Sequence, residues 1–249
     1  MEKAIMLNPI DFSNQKILVT GASSGIGKTT AMYLSNLGAS LVLHGRNREG
    51  LYQTKELLNG TNHTLISSDL TELDDVSNIF EQAVSDGVKL NGLVYSAGVM
   101  PIIPLPQLTR EKIRAIMDIN FYSYIEMIRQ FAKKKYSNDG NIVAVSSIAS
   151  LQPEACQTIY SASKSAMNAA TQSLSFELVK KNIRINTIFP GVVRPENVMA
   201  DDDLNQLAGP QILGLIRSDD VAGAIAFLLS DMAKFITGRS LYFDAGRLG

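Results

Sequence analysis

The chain has 249 residues, 45% hydrophobic and 19% charged, with a formal net charge of −1. That length and apolar content suit one large α/β domain with a filled core, and the near-neutral balance argues against a nucleic-acid partner. One cysteine, Cys156, excludes an intrachain disulfide, and two histidines, His44 and His63, give no metal-ligand spacing, so no metal is expected. The first residues are too few and too polar for a secretory leader, and the longest apolar run, Val221 to Leu229, falls short of the ~20 residues that cross a bilayer. A soluble cytoplasmic protein without a membrane partner is expected.

Short β-rich runs alternate with helix-length segments. Lys16–Thr20 is predicted as a strand, Ile26–Leu37 as a helix, Ser40–His44 as the second strand and Arg48–Leu58 as the second helix. His63–Ser67 follows as a strand, Leu73–Val84 as a helix opened by Thr71, and Leu93–Tyr95 as the fourth strand. Thr109–Lys135 reads as one long helical stretch, Asn141–Ser146 as a strand, Ile159–Lys181 as a long helix and Ile183–Phe189 as the sixth strand. A short helix near Asp201–Leu207, a helix over Asp219–Ser230 and a strand over Ser240–Phe243 complete the order. The strands are continuous apolar runs, as in strands covered on both faces. Such alternation predicts a single-domain Rossmann-type fold, a doubly wound parallel sheet of about seven strands with helices on both faces. No linker or repeat divides residues 1–249, although residues 1–15 read as an N-terminal arm.

The first strand runs straight into Thr20-Gly21-Ala22-Ser23-Ser24-Gly25-Ile26-Gly27, and a helix follows. Glycines permit a tight turn and let backbone N–H groups approach a pyrophosphate, while the helix N-terminus adds partial positive charge. In an α/β domain this context points to a dinucleotide, here with the spacing G-x-x-x-G-x-G. Gly27-Lys28-Thr29 looks like the end of a triphosphate-binding loop, but that motif needs a glycine where Ala22 stands.

Tyr160 and Lys164 stand four apart, so a helix places both on one face. An ammonium about 4 Å from a phenol is worth roughly 4 kcal/mol at an effective dielectric of about 20. At ~1.36 kcal/mol per pKa unit, the lysine is expected to lower the tyrosine pKa by up to about 3 from its usual ~10. That is the range of a general acid or base at neutral pH.

With these motifs in this order, the chain resembles the short-chain dehydrogenase/reductase family from about Phe12 to Gly246. Thr20–Gly27 matches the family's cofactor turn, and Asp69-Leu70 its Asp-hydrophobic pair beside the adenine. Ala97-Gly98 matches the second half of its Asn-Asn-Ala-Gly motif, and Asn120 its active-site asparagine. Ser147, thirteen residues before Tyr160, matches the catalytic serine, and Pro190-Gly191 the turn over the nicotinamide. Three positions depart from the pattern: Tyr95-Ser96 replaces the two asparagines, Pro195 a cofactor-binding threonine, and Ala245-Gly246 a Gly-Gly pair.

The resemblance implies hydride transfer between a nicotinamide and the carbonyl or secondary alcohol of a small molecule. Tyr160 would move the proton, Ser147 would bond the developing alkoxide, and Lys164 would lower the Tyr160 pKa and hold the nicotinamide ribose. Asn120 would place a water that connects Lys164 to solvent. Gly21, Ser23, Ser24, Gly25, Ile26, Gly27, Arg46, Asp69, Leu70, Ala97, Gly98, Tyr160, Lys164, Pro190, Gly191 and Val193 would contact the cofactor. No carboxylate ends the second strand: Gly45 stands at the usual acidic position, followed by Arg46, whose planar fork suits a 2′-phosphate. NADP is therefore expected over NAD.

Residues 192–213 are expected to form a lid over the substrate and Ile148–Gln157 its floor. Leu151, Pro153, Ile159, Val193, Met199 and Leu207 are the apolar candidates, with Gln152, Gln157 and Asn197 for polar groups. The nearest resemblance is to 3-oxoacyl-carrier-protein reductases, so a 3-oxoacyl thioester is one candidate substrate and an alcohol or sugar another. Lys133–Lys135 and Lys180-Lys181 offer docking points for an acidic carrier protein. A homodimer or homotetramer is expected from the apolar long helices, through Met117, Phe121, Tyr124 and Ile128 on one and Met167, Ala170 and Leu174 on the other. A non-catalytic nucleotide-binding scaffold is the alternative from another class, against which the presence of both Tyr160 and Lys164 speaks.

Overall fold

The computed structural model describes residues 10–194 and 208–247. Residues 1–9 of the expected arm lie outside them, as do the lid helix Asp201–Leu207 and the positions Pro195, Asn197 and Met199. Seven strands, β1 (Lys16–Thr20), β2 (Ser40–Gly45), β3 (Thr64–Ser67), β4 (Gly92–Tyr95), β5 (Gly140–Val145), β6 (Ile183–Pro190) and β7 (Ser240–Phe243), form one sheet in the order β3-β2-β1-β4-β5-β6-β7. Every pairing is parallel. The crossovers carry α1 (Gly25–Asn36), α2 (Arg48–Glu56), α3 (Val76–Ala83), α4 (Arg110–Met117), α5 (Ser123–Phe131), α6 (Thr158–Leu178) and α7 (Ser218–Leu229).

Side chains on successive strand residues point to opposite faces, and β1 divides its residues accordingly. Leu18 joins a core with Phe80 of α3, Tyr124 of α5 and Met167 of α6. Ile17 and Val19 join the opposite core with Leu34 of α1, Leu51 of α2 and Ile225 of α7. Strand order reverses between β1 and β4, and the crevice over the strand C-termini at such a point is where open α/β sheets bind ligands.

The expected Thr109–Lys135 helix is broken. α4 gives way to a π-helical turn over Asp118–Tyr122, α5 resumes, and it ends at Phe131. A π turn inserts a residue and shifts the backbone hydrogen-bond pattern. Here it is braced by the residue that departs from the family motif. Tyr95, fully buried at the end of β4, donates its hydroxyl to the Ile119 carbonyl at 2.5 Å and lies 2.7 Å from Ser123 Oγ. Ser123 Oγ also donates to the Ile119 carbonyl, at 2.8 Å. The expected Leu73–Val84 helix is likewise divided, with a 3-10 turn over Leu73–Asp75 ahead of α3.

Two surface expectations change. Tyr124, Ile128 and Met167 face the chain's own core and are at most 1% exposed, so they cannot pair with another subunit. The exposed apolar residues of this region are Tyr122, Phe176 and Val179. The lysine groups also sit at the N-terminal end of the strands, away from the crevice: Lys133–Lys135 lie between α5 and β5, and Lys180 and Lys181 just before β6. The six residues of β5 put them about 20 Å from the strand C-termini, at ~3.3 Å per residue. Lys135 is ion-paired with Glu81, and Lys181 Nζ donates to the Ala132 carbonyl at 2.9 Å.

Candidate active site

A cleft of about 750 Å³ runs along the C-terminal ends of the strands. Under β1 it is walled by backbone. Gly21 turns the chain at φ +67°, a conformation that favours glycine. Gly27 packs so closely beneath it that a Cβ there would fall on the Gly21 carbonyl oxygen. The N-terminus of α1 thereby lies against the turn with no acidic residue in its first helical turn. Ser24, at the N-cap, makes no side-chain bond to the helix, and Ser23 and Ser24 both line the cleft. Open helix N–H groups, a positive dipole end and no carboxylate fit a pyrophosphate. Thr20 Oγ1 accepts from the Ser96 and Ala97 N–H groups at 3.1 and 3.2 Å, locking the ends of β1 and β4 together.

At the β2–β3 end the lining is His44, Gly45, Arg46, Asn47, Ser68 and Leu70. Burial pushes the His44 imidazole down to about 4, with the charge of Asp69 a smaller opposing influence, so it is neutral at pH 7. Its Nε2 lies 3.0 Å from Ser68 Oγ. Arg46 therefore supplies the cationic charge among these lining residues, but it does not stand clear of carboxylates. Its Nη1 lies 3.7 Å from Asp69 Oδ2, and its side chain is 65% exposed. Burial favours a neutral Asp69, yet bonds from the Thr71 N–H and hydroxyl and the charge of Arg46 outweigh it and hold the carboxyl below its usual range. The sequence places no acid at the end of β2; the neighbouring strand brings one there.

The reacting groups gather where β5 and α6 meet. α6 carries both Tyr160 and Lys164 on its buried face. Lys164 Nζ donates to the Val145 carbonyl at 2.7 Å and lies 5.9 Å from the centre of the Tyr160 ring. Tyr160 is not depressed as expected. Burial raises its phenol above the usual value, while a hydrogen bond with Ser147 pulls the other way. The same burial lowers the Lys164 ammonium to about 8. Desolvation penalises the charged form of each group, and it outweighs the attraction that spacing alone suggested. Ser147 lies two residues beyond β5 in an extended conformation, and its Oγ accepts from the Ala149 N–H at 3.1 Å.

Asn120 sits in the π turn and is fully buried. Its Oδ1 accepts from the Val99 N–H at 2.9 Å, and its Nδ2 donates to the Val99 carbonyl and to Ser163 Oγ, each at 3.0 Å. The amide clamps the strand-β4 exit to α6. A Cβ on Gly98 would lie 3.1 Å from Asn120 Oδ1 and 3.5 Å from Lys164 Nζ, which shows how closely this exit passes over both side chains.

The β6 exit is held by Gln211, a buried residue that sequence reasoning missed. Its Oε1 accepts from the Val192 N–H, and its Nε2 donates to the Val192 carbonyl at 3.3 Å and the Gly214 carbonyl at 2.8 Å. Pro190, Gly191, Val192 and Val193 line the cleft beside it. Gly21, Ser23, Ser24, Ile26, Gly27, Arg46, Leu70, Ala97, Gly98, Ser147, Tyr160 and Lys164 line it as well, whereas Gly25, Asp69 and Asn120 stand outside the lining. Of the substrate candidates, Gln152, Gln157 and Val193 line the cleft; Leu151 and Pro153 are exposed outside it, and Ile159 lines a separate small recess behind Tyr160. Met100, Ile102, Ile148, Ala149 and Val192 form the apolar wall instead. Arg247, from the segment after β7, also reaches it, and no sequence pattern announced that. No group of His, Cys, Asp and Glu suited to a metal occurs among the described residues, and no helix among them is long and apolar enough to cross a membrane.

Residues 21–247 match the family profile described as enoyl-(acyl carrier protein) reductase. The chain belongs to the short-chain dehydrogenase/reductase family. It is 32% identical to a 3-oxoacyl-[acyl-carrier-protein] reductase of Rickettsia felis, over 96% of this chain and 99% of the relative. It is 31% identical to a glucose 1-dehydrogenase of Gluconobacter oxydans (94% and 92% covered) and 32% identical to an L-xylulose reductase of Caenorhabditis elegans (95% and 96%). Its fold matches a solved dehydrogenase/reductase from Sinorhizobium meliloti with a TM-score of 0.90 at 28% identity, covering 96% of this chain and 97% of that one. As a short-chain dehydrogenase/reductase, the chain is an NAD(P)-dependent oxidoreductase.

Proposed function

We propose that this enzyme reduces a carbonyl, or oxidises the corresponding secondary alcohol, on a small organic substrate, with NADP as its preferred cofactor. The observation that carries the reading is the joint placement of Ser147, Tyr160 and Lys164 on one wall of the cleft whose other end is the glycine-walled N-terminus of α1. Gly21, Ser23, Ser24, Gly25, Ile26 and Gly27 would take the pyrophosphate, Arg46 the 2′-phosphate, Asp69 and Leu70 the adenine side. Ala97, Gly98, Lys164, Pro190, Gly191 and Val193 would hold the nicotinamide half. When bound, the nicotinamide supplies hydride to the carbonyl carbon.

The chain's own groups then manage the oxygen. Ser147 donates a hydrogen bond to it as negative charge builds, which favours the transition state over the ground state. Tyr160 donates its proton to the same oxygen. Its raised pKa keeps it protonated at neutral pH, which suits the reductive direction. Lys164, charged below about 8, offsets the phenolate as it forms. Asn120 acts as a positioning residue, holding the Val99 segment over Lys164. Replacing Tyr160 with Phe tests the reading: NADPH binding should persist while turnover falls by at least tenfold, and retained turnover would remove Tyr160 from the proton step.

We infer further that the enzyme is cytoplasmic and assembles as a homodimer or homotetramer through the α4–α6 surface that carries Tyr122, Phe176 and Val179. A 3-oxoacyl thioester stays within the substrate range, but carrier-protein docking through the lysine groups is disfavoured by their place at the opposite, N-terminal end of the strands.

A further inference from the structure

One end of the cleft is lined by a contact between two segments far apart in sequence. Arg247 follows β7, and Gln152, Glu154 and Gln157 follow β5. All four line the cleft, on the half of the sheet opposite Arg46 and Leu70. The Arg247 side chain is 9% exposed and ion-paired through Nη2 with Glu154. Its Nε also donates to Gln152 Oε1 at 3.4 Å, and Gln157 Nε2 donates to Glu154 Oε2 at 3.3 Å. Gln157 Oε1 is buried without a hydrogen-bond partner. Buried acceptors of this kind are normally satisfied.

Two consequences follow from the chemistry. Among the described residues that line this end, guanidinium and carboxylate cancel, so they offer donors and acceptors without a net charge and suit neutral hydroxyls better than carboxylates or phosphates. The ion pair also ties the β5 exit to the β7 exit across this end of the cleft and narrows the space between them. Much of the volume is already claimed by the dinucleotide, since ~300–1,000 Å³ is the range for one drug-sized ligand.

We propose that the Arg247–Glu154 clasp sets substrate choice, restricting the enzyme to compact, hydroxyl-bearing carbonyl compounds of ketose size and turning away long acyl chains. This rests on the carbonyl-reductase reading above. The test measures kcat/KM at saturating NADPH for a five-carbon ketose and for the 3-oxobutanoyl and 3-oxododecanoyl thioesters of N-acetylcysteamine. It uses the full chain and the variants Arg247→Ala and Glu154→Gln, with NADPH binding followed by fluorescence. The parent should prefer the ketose, with the long thioester poorest by about tenfold or more, the scale on which pocket contacts discriminate. Both variants should bind NADPH as the parent does, lose activity on the ketose and gain it on the long thioester. Glu154→Gln opens the clasp without altering the C-terminal segment, so the test survives if Arg247→Ala folds poorly. A parent that prefers either thioester, or variants that change all three substrates equally, overturns the clasp and leaves the reductase reading standing. A parent that binds NADPH and reduces none of the three overturns both.

Discussion

The Tyr95 hydroxyl donates to the carbonyl of Ile119 at 2.5 Å, across the interface between the central strand β4 and the π turn that carries Asn120. Most relatives in the resemblance have an asparagine at the Tyr95 position. Here a larger side chain reaches further and supports the turn directly. Tyr95→Phe removes one donor from a buried carbonyl that Ser123 still contacts, a loss of about 1–3 kcal/mol. At roughly 2–4 °C per kcal/mol for a domain of this size, Tm should fall by about 2–12 °C. Turnover should fall with it, because Asn120 shifts relative to Ser163, while NADPH affinity stays near the parent value. Calorimetry and fluorescence titration check this; an unchanged Tm would show that Ser123 alone supports the turn.

Ser147 and Tyr160 address the same oxygen in the proposed reaction, so their losses should not add. Either Ser147→Ala or Tyr160→Phe is expected to cost about 10²–10⁴ in kcat, the usual range for a positioned acid or base. The double variant should be little worse than Tyr160→Phe alone. Steady-state kinetics on the three variants decide it, and multiplicative losses would place the two groups in separate steps.

Lys164 gives a pH signature in stability as well as rate. Its ammonium titrates near 8 in the folded chain against an ordinary 10.5. Below about 8 both folded and unfolded chains carry the proton, and the folded chain bears the full desolvation penalty, roughly 3 kcal/mol at ~1.36 kcal/mol per unit. Between about 8 and 10.5 the folded chain has released its proton and the unfolded chain has not, so stability gains with rising pH. Lys164→Met should therefore raise Tm at pH 7, and its advantage should shrink through that window and vanish above it. The rate should move oppositely. Parent kcat/KM for NADPH should be level below about 8 and fall above it, as the charge that offsets the phenolate is lost. Parallel Tm curves for the two proteins would contradict the lysine's burial as a charged group.

Cofactor choice should respond to Asp69 as well as to Arg46. An exposed pair of this kind is worth about 0–1 kcal/mol, so Asp69→Asn should raise the NADPH/NADH ratio of kcat/KM by no more than about fivefold. Gly45→Asp with Arg46→Ile should reverse the order. A Cβ at Gly45 meets nothing nearer than 3.5 Å, so a side chain can begin there without a backbone clash. A parent that uses NADH as well as NADPH would show that Arg46 is held by Asp69 and solvent rather than by the phosphate.

Periodicity and glycine spacing made the sheet and the nucleotide turn legible, because continuous apolar strands and a Gly21–Gly27 turn have few alternative structures. Tyr160 and Lys164 were legible as a pair because one helix face fixes both, whereas Ser147 was marked only by the family resemblance. What escaped depends on contacts between residues distant in the chain. Asp69 reaches Arg46 only because β2 and β3 are neighbours, and Arg247 reaches Glu154 only because β5 and β7 end on the same side. The break at Asn120 left no mark in the hydrophobic pattern, since Ile119 and Ile128 stay buried on either side of it. The Tyr160 pKa was misjudged because spacing reports distance to a charge and says nothing of burial.

The two ends of the cleft differ in what drift can do to them. Under β1 the walls are main chain, and at position 27 a side chain would collide with the Gly21 carbonyl that shapes the turn. Variation there is met at once by a steric clash. The opposite end is framed by side chains on the β5 and β7 exits, where Gln152 and Glu154 are exposed. Selection on this scaffold therefore works with one frozen half and one free half. A change of substrate is a few side-chain substitutions away, whereas a change in the turn under β1 would require rebuilding the backbone.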